Sequence, residues 1–370
     1  MNPKISNLDE TDEILTFTLS NVNVSIANAL RRIMLSDIPC VVFKTIPYEN
    51  SKVNIEVNTT KFNNEIIKQR LSCIPIHISD KDFPINDYVV EIDKTNNTNT
   101  IDYITTEDFK IKNVKLNNYV KDTTVQKIFP KNNITNRYID FVVLNPKINE
   151  TINGEQLKLS CKLAIGTAKE EGMFNVVSTC SYKFTQDPGL VENEWSKREK
   201  ILINEGKIKE ELEFLKQDWL LLDAKRLYIK DSFDFVVETI GIYENLKLVE
   251  LACNIMINKL NQFITAVQSN ISLINESNTT LENCYDIKLE NEDYTLGKVL
   301  EYILYERYFT EKQILVYCGF LKKHPHQTFS IIRIAFKDIV ENGDIIAVLS
   351  DVSKTAMEIF NKIRDNFSLE

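Results

Sequence analysis

Ser20–Leu35 reads SNVNVSIANALRRIML and Glu290–Tyr305 reads ENEDYTLGKVLEYILY. The agreement of these two stretches decides how the whole chain is organised. At an offset of 270 positions, Asn21 meets Asn291, Ser25 meets Thr295, Ile26 meets Leu296, Ala27 meets Gly297, Leu30 meets Leu300 and Ile33 meets Ile303. Apolar residues at 26, 29, 30, 33 and 34 fall on one side of a helix, because positions three and four apart share a face at 3.6 residues per turn. Ser25 reads as the N-cap, since a hydroxyl there satisfies a free N–H of the first turn. Ala27 and Gly297 are small enough to let a second helix approach closely.

The same plan extends outward from both stretches. Ile14–Leu19 alternates like a strand, Ile38-Pro39 ends the first helix, and Val41–Ile46 and Val53–Val57 read as further strands. Asn64–Leu71 is a short helix and Cys73–Ile78 an extended edge piece. Strands follow at Glu155–Ile165 and Asn175–Phe184, around a loop at 166–172, then a turn at Asp187-Pro188-Gly189. Residues 191–224 are charged and helical, and Phe233–Thr239 is a strand. A long helix runs from Asn245 to about 274, with Val249, Ala252, Met256, Leu260, Phe263, Val267 and Ile271 on one stripe. The second copy runs strand (Cys284–Leu289), helix (Leu296–Tyr308), strands (Ile314–Phe320 and Thr328–Phe336) and a closing helix at about 350–366, striped by Val352, Ala356, Ile359 and Ile363. Each copy thus ends in a helix with an apolar face to bury. Two such modules cover each other in the isologous manner of a twofold dimer.

This predicts an α+β fold with four parts. Residues 1–78 and 155–274 form a first, discontinuous module, and 79–154, rich in Asn, Thr, Asp and Lys with short strands, form an inserted, mainly-β domain. Residues 275–283 are a polar linker, and 284–370 form the second module. The chain of 370 residues has room for them, because single cores stop growing near ~250–300 residues.

Composition narrows the function. A formal net charge of −9 argues against gripping phosphates directly as the main task. No apolar run approaches the ~18 residues of a membrane span. Met1–Thr18 has early acids and no apolar signal core, so the chain reads as intracellular. The 7 cysteines are scattered and form no C-x-x-C pair, which argues for reduced thiols, not a disulfide frame or zinc ribbon. His324-Pro325-His326 offers two ligands with no cysteine nearby, short of a zinc set, and reads as a turn; His77 is the remaining histidine. The acidic pairs at Asp231–Asp234 and Glu292-Asp293 sit at strand or helix starts, where acids serve as caps and not as metal clamps. Gly166 to Gly172 lacks the Lys-Ser/Thr of a phosphate loop. No nucleophile–base set stands out. The expectation is a protein without catalytic residues, cofactor or metal.

The residues also carry a family resemblance. Leu19-Ser20-Asn21-Val22, Ser25 to Met34 and Asp37-Ile38-Pro39 resemble the motif of the alpha-type RNA polymerase subunits: the bacterial alpha N-terminal domain, the archaeal D subunit and the third-largest eukaryotic subunit. Glu65 to Ile76 resembles their second motif, a helix ending in Arg-Leu before an Ile-Pro strand, and Ala164 to Glu170 resembles their loop. Asp293 to Gly297, Val316 to Phe320, His324-Pro325 and Ile332 to Ile334 resemble the small partner subunit, archaeal L or its eukaryotic counterpart.

The resemblance implies two RNA polymerase alpha N-terminal-like dimerisation modules in one chain, forming an intramolecular pseudo-dimer. It implies a non-catalytic assembly scaffold that docks the two largest polymerase subunits and small auxiliary subunits. The docking surface would hold Asn28, Arg31 and Arg32, with Lys169 and Glu170 as weaker members; a rigid guanidinium fork suits carboxylates. The pairing helices would be joined through Ala27, Leu30, Met256, Leu260, Phe263, Leu296, Gly297, Leu300, Val352, Ala356, Ile359 and Ile363. Many family members carry a cysteine cluster in the inserted domain, but here no cysteine lies between Cys73 and Cys161, so no metal is expected. Fused halves and an Asn/Ile/Lys-rich composition resemble the polymerases of large DNA viruses of eukaryotes, which would place the protein in a host-cytoplasmic factory and in the virion. A stand-alone dimerisation module outside transcription, or an enzyme with its site in 80–155, are the other readings. The second would need a His/Cys/Asp constellation that this segment lacks.

Overall fold

The computed structural model describes residues 1–80, 83–147, 149 and 153–367 of a mixed α/β protein. Residues 81, 82, 148 and 150–152 of the segment expected as an inserted domain, and 368–370 of the second module, lie outside the described residues. From the N-terminus run β1 (Lys4–Thr11), β2 (Ile14–Ser20), α1 (Val24–Ser36), β3 (Cys40–Val42), β4 (Val53–Asn58), α2 (Asn64–Ser72), β5 (Tyr88–Thr95), β6 (Asp102–Thr105), β7 (Lys110–Asn113), β8 (Asn118–Tyr119), α3 (Asp122–Ile128) and β9 (Asp140–Leu144). Then come β10 (Gln156–Lys162), β11 (Ala164–Gly166), β12 (Val177–Gln186), α4 (Pro188–Asn204), α5 (Lys209–Leu221), β13 (Tyr228–Thr239), α6 (Asn245–Ser269), β14 (Ile274–Glu276), β15 (Cys284–Glu290), α7 (Tyr294–Leu304), β16 (Leu315–Leu321), β17 (Phe329–Phe336) and α8 (Asn342–Arg364). The chain divides into two compact units. One comprises 1–34, 179–238 and 245 onward; the other comprises 35–178 with 239–244.

The first unit contains two four-stranded sheets, ordered β1-β2-β13-β12 and β14-β15-β17-β16. In both, the strand before the first helix lies beside the strand before the last one. Leu15, Phe17 and Leu19 of β2 oppose Val237, Phe235 and Phe233 of β13, and all six are buried. The Phe17 and Phe235 rings stack at 4.9 Å. The alternate residues face away, as a period of two requires. There Thr18 and Thr185 each donate to Asp234 Oδ1, at 2.9 and 2.8 Å. In the other sheet Ile287 opposes Ile332 on the buried side, while Asp286 on the opposite side accepts two bonds from Arg333 at 2.6 and 2.8 Å. That pairing holds the Asp286 carboxyl below its usual range. Met256, Leu260 and Phe263 of α6 and Val352, Ala356, Ile359 and Ile363 of α8 are all buried, as are Ala27, Leu30, Leu296, Gly297 and Leu300.

The helix starts differ from the sequence reading in an informative way. Ser25 is not the cap. Helix α1 begins at Val24, and the side-chain oxygen of Asn23 accepts from the Ser25 N–H at 2.9 Å. Asp293 does the same for Thr295 at 2.9 Å. Asn21 (φ 61°) and Asn291 (φ 56°) turn the chain into each cap through the left-handed region, which Asn tolerates better than most residues. Ser25 Oγ is buried without a hydrogen-bond partner among the described residues. An Asx side chain two residues earlier reaches the first free N–H, so the hydroxyl is displaced from that task.

Other boundaries move for equally local reasons. Of the expected 41–46 strand only Val41 and Val42 pair, with β11, and Cys40 before them joins the ladder. The Asp187–Gly189 turn is a helix start, because Asp187 caps the N–H groups of Gly189 and Leu190 and Pro188 fits the first position. Helix α6 stops at Ser269, and Ile274–Glu276, inside and beside the expected linker, pairs with β15 as an edge strand. Helix α8 starts at Asn342, well before its expected start, behind a reciprocal capping arrangement of Glu341 and Asp344. Past Leu304, α7 continues as a π-helical segment over Tyr305–Glu311.

The second unit is built on the sheet β4-β10-β5-β7-β8. Strand β5 pairs with β10 from Val89 to Thr95, so the 79–154 segment shares a sheet with its flanks. It shares their core too: Phe43, Phe109, Phe129 and Phe141 pack in one cluster with Ile67 and Leu71 of α2. Arg70, in the Arg-Leu pair of the second motif, donates to the backbone oxygens of Phe141 at 2.7 Å and Asp140 at 3.2 Å.

Gly297 has a definite packing role. A Cβ there would lie 2.0 Å from the Phe320 ring of β16. The small residue therefore admits a side chain of its own sheet, which corrects the expectation of a close helix–helix approach at this position. Gly297→Ala should lower stability by about 1–3 kcal/mol, despite the ~1 kcal/mol that alanine gains over glycine in a helix. Thermal denaturation of Gly297→Ala and of Gly297→Ala with Phe320→Leu checks this: the smaller side chain should restore most of the loss.

Candidate functional site

The clearest polar constellation in the first unit joins the two repeats. Arg32, on α1, donates from Nε to Thr295 Oγ1 at 2.8 Å and from Nη2 to Asp293 Oδ2 at 2.7 Å. Asp293 therefore uses one oxygen to cap α7 and the other to hold Arg32. The arrangement is half-shielded, with side-chain exposures of 35% for Arg32 and 27% for Asp293. A charge-assisted pair of this kind is stronger than a neutral bond, and the fork of the guanidinium fixes its direction. Beside it, Lys259 of α6 pairs with Glu292 at 2.9 Å, and Arg364 of α8 donates to Asn254 of α6 at 3.2 Å. At the position of Arg32 in the second copy stands Tyr302, whose hydroxyl is pushed up to about 12, chiefly by burial and further by the charges of Glu306 and Asp231.

The residues expected on a docking surface divide between the units. Asn28, Arg31 and Arg32 belong to the first, and Lys169 and Glu170 to the second. Arg31 donates from Nε and Nη2 to Asn28 Oδ1, one turn back, at 3.1 and 2.9 Å. Lys169 and Glu170 are exposed. The Lys169 N–H donates to the Ser36 carbonyl at 2.8 Å, and Glu170 pairs with Lys44 at 2.9 Å. Arg32 is the one whose side chain reaches the second repeat. Sequence reasoning placed Thr295 opposite Ser25 and Asp293 at a helix start but missed that both accept from Arg32. The signal was present: Asn23 and Asp293, strong cap formers, stand at the same 270-residue offset as the matched pairs.

The other candidates resolve into structural roles. Asp234 is held by two threonines and Asp293 by Arg32. His77 Nδ1 lies 2.9 Å from the Gly241 carbonyl oxygen, and burial lowers its pKa. Gly241 has φ 95°, and a Cβ on it would meet the His77 ring at 2.9 Å. His324 and His326 pack ring to ring at 5.1 Å in the β16–β17 turn. Burial pushes the thiol of Cys40 up to about 11 and those of Cys161, Cys180 and Cys318 to about 12, so at neutral pH they are protonated and poor nucleophiles. Among the described residues no three His, Cys, Asp or Glu side chains are grouped to hold a metal, and no helix is long and apolar enough to cross a membrane. What the constellation does chemically is join helix to helix.

Comparison with known proteins bears on what is joined. A family model described as the RNA polymerase Rpb3/Rpb11 dimerisation domain matches residues 16–260, about two thirds of the chain, from β2 into α6. The chain is similar to DNA-directed RNA polymerases II, IV and V subunit 3 of Arabidopsis thaliana, 25% identical over 201 residues, covering 52% of this chain and 59% of that one. It is similar to DNA-directed RNA polymerase subunit Rpo3 of Archaeoglobus fulgidus, 27% identical over 195 residues, covering 52% and 65%. A longer match, to the Rpo3 subunit of Pyrococcus horikoshii, is 23% identical over 286 residues and covers 72% of this chain and 98% of that one. The chain thus spans less than two thirds of the Arabidopsis and Archaeoglobus relatives.

The Arg32–Asp293 contact is open to a direct energetic test. A double-mutant cycle on Arg32→Ala and Asp293→Ala should give a coupling of about 1 kcal/mol, the scale of a half-exposed charge-assisted pair. Asp293→Ala alone should cost more than Arg32→Ala, because it also removes the α7 cap. Denaturant midpoints of the four proteins measure both quantities.

Proposed function

The chain belongs to the RNA polymerase Rpb3/Rpb11 dimerisation-domain family, and from that premise we propose that it is a non-catalytic assembly subunit of a multisubunit DNA-directed RNA polymerase. The observation that carries the proposal is the pairing of repeats inside the first unit. The family match ends within α6, yet beyond it the chain builds a second sheet in the same order as the first, β14-β15-β17-β16 against β1-β2-β13-β12.

In this reading the chain is an intramolecular pseudo-dimer. Residues 1–78 and 155–274 supply the first half, with the mainly-β segment 79–154 set into it, and 284–370 supply the half that other members of the family take from a separate small subunit. Support comes from α6 packing along α8 and from the Arg32 bond to the α7 cap. Fusion replaces a bimolecular association by an intramolecular one, with an effective concentration in the ~millimolar range for a short connection. It also fixes the two halves at equal number.

The scaffold would dock the two largest polymerase subunits, through surfaces that include Asn28, Arg31 and Arg32 with Lys169 and Glu170, and small auxiliary subunits elsewhere. Catalysis and template contact would belong to those partners, which fits a chain with a net charge of −9. The fused architecture and the Asn/Ile/Lys-rich composition favour a polymerase of a large DNA virus, acting in the host cytoplasm and packaged in the virion.

Affinity purification of the tagged chain from cells that express it natively, with subunits quantified by mass spectrometry, tests the proposal. Two large polymerase subunits should be recovered, each at about one copy per chain. Recovery of the chain alone, or with proteins of another process, would contradict it and favour the stand-alone dimerisation module.

A further inference from the structure

The joints between the repeats are one-sided. The first helices of the repeats correspond at an offset of 270 positions, and the long helices correspond at an offset of 100. Ala252, Met256, Leu260 and Phe263 of α6 then match Val352, Ala356, Phe360 and Ile363 of α8, and all of them are buried. A twofold pair of like modules makes each contact twice, because residue i of one meets residue j of the other and j meets i. Here the polar contacts are made once. Arg32 donates to Thr295 and Asp293, whereas the reciprocal positions hold Tyr302, Ser25 and Asn23. Lys259 pairs with Glu292 at 2.9 Å, whereas the reciprocal positions hold Ile359 and Val22, both buried.

The charges are sorted by sign. Arg32 and Lys259 belong to the first repeat, Glu292 and Asp293 to the second. The Lys259 and Glu292 side chains are only 14% and 17% exposed, so water does little to replace a lost partner. In a pair of two first repeats the same geometry sets Arg32 against Asn23 and Ser25, and Lys259 against Val22, on both sides of the axis. No helix start then offers a carboxylate to these cations. In a pair of two second repeats Asp293 faces Tyr302 and Glu292 faces Ile359, and the carboxylates lose their cations. The matched stripe residues of α6 and α8 are apolar in both helices, so they do not tell like from unlike.

We infer that this one-sided charge code selects the partner of each repeat: the first accepts a surface whose helix start carries two carboxylates, as its own second repeat does, and rejects the first repeat of a second copy of the chain. The inference rests on the pseudo-dimer reading and adds to it the reason that like modules do not pair with like. Such rejection has a task during synthesis. The first repeat is made before the second, and its uncovered seam would otherwise close on that of a neighbouring copy. Unpaired charges shut into the wrong seam make that pair costly, which is how a surface excludes a competitor of nearly the same shape.

The test cleaves the folded full-length protein in the 278–283 loop, passes it through denaturant so that the fragments exchange partners, and counts the pairs by native mass spectrometry. Wild type should return only to the one-to-one pair. A neutralised chain, with Arg32→Met, Lys259→Met, Glu292→Gln and Asp293→Asn, keeps a polar cap on α7, and its share of like–like pairs should rise about tenfold or more. A charge-exchanged chain, Lys259→Glu with Glu292→Lys, should re-form its own pair. Mixed with isotope-labelled wild type, it should give matched pairs in excess of crossed ones by about tenfold. Thermal melting of each uncut chain shows which variants fold, and the charge-exchanged chain carries the test if the neutralised one does not. Like–like pairs as frequent as unlike ones in wild type, no rise in the folded neutralised chain, or indifferent mixing of the exchanged chain overturns the inference alone. Wild-type fragments that part on cleavage overturn the pseudo-dimer reading, and the inference with it.

Discussion

Helices α6 and α8 impose the constraint on which the first unit depends. Each carries an apolar stripe along most of its length, and each follows a strand that sits beside the strand before the first helix of its repeat. Leu260, Met256, Val352, Ala356 and Ile363 all have essentially no exposure. A stripe of that length on a two- or three-turn surface helix would be covered by its own sheet; on helices of 25 and 23 residues it needs a second surface of the same kind. The polar contacts follow from that meeting. Arg32 can reach the cap of α7, Lys259 can reach Glu292 and Arg364 can reach Asn254 only because the helices are already brought together by burial, which contributes ~25 cal/mol for each Å² of apolar surface removed from water. The polar bonds then specify the fit more than they drive it.

The sequence foretold the part of the fold that is periodic. The repeat at 20–35 and 290–305, the stripes of both long helices and the paired strands ahead of them all emerge from spacings of two, three and four residues. The elements that were misplaced are those set by single hydrogen bonds or by tertiary pairing. Asn23, not Ser25, caps α1, since an Asx side chain outreaches the serine two residues later. Ile274–Glu276 reads as the end of a helix and the start of a linker, yet pairs as a strand because β15 presents an unfilled edge. The texture of 79–154 suggested a separate insertion, but it could not reveal that β5 would take its hydrogen bonds from β10. No composition encodes which strand a strand will join.

The candidate site was half legible. Arg31 and Arg32 gained a role only through the family resemblance. Their difference from one another was hidden. Arg32 turns to the second repeat and Arg31 back onto Asn28, a distinction made by 100° of helix rotation and by which acceptors the fold supplies. Gly297 shows the same limit: a small residue announces a close approach, but only coordinates tell that the visitor is the Phe320 ring. The acids that the sequence singles out serve joints between elements: Asp234 accepts from two threonines, and Asp293 caps α7 and holds Arg32.

In the proposed pseudo-dimer the two repeats of one chain pair with each other. A protease site placed in the exposed 278–283 loop between β14 and β15, cut in the purified full-length protein and followed by native mass spectrometry, tests it most directly. The two fragments should stay together as a one-to-one complex and part only in denaturant. Fragments that separate on cleavage, or an uncut chain whose stable form is a dimer held together by exchange of these halves between copies, would contradict it.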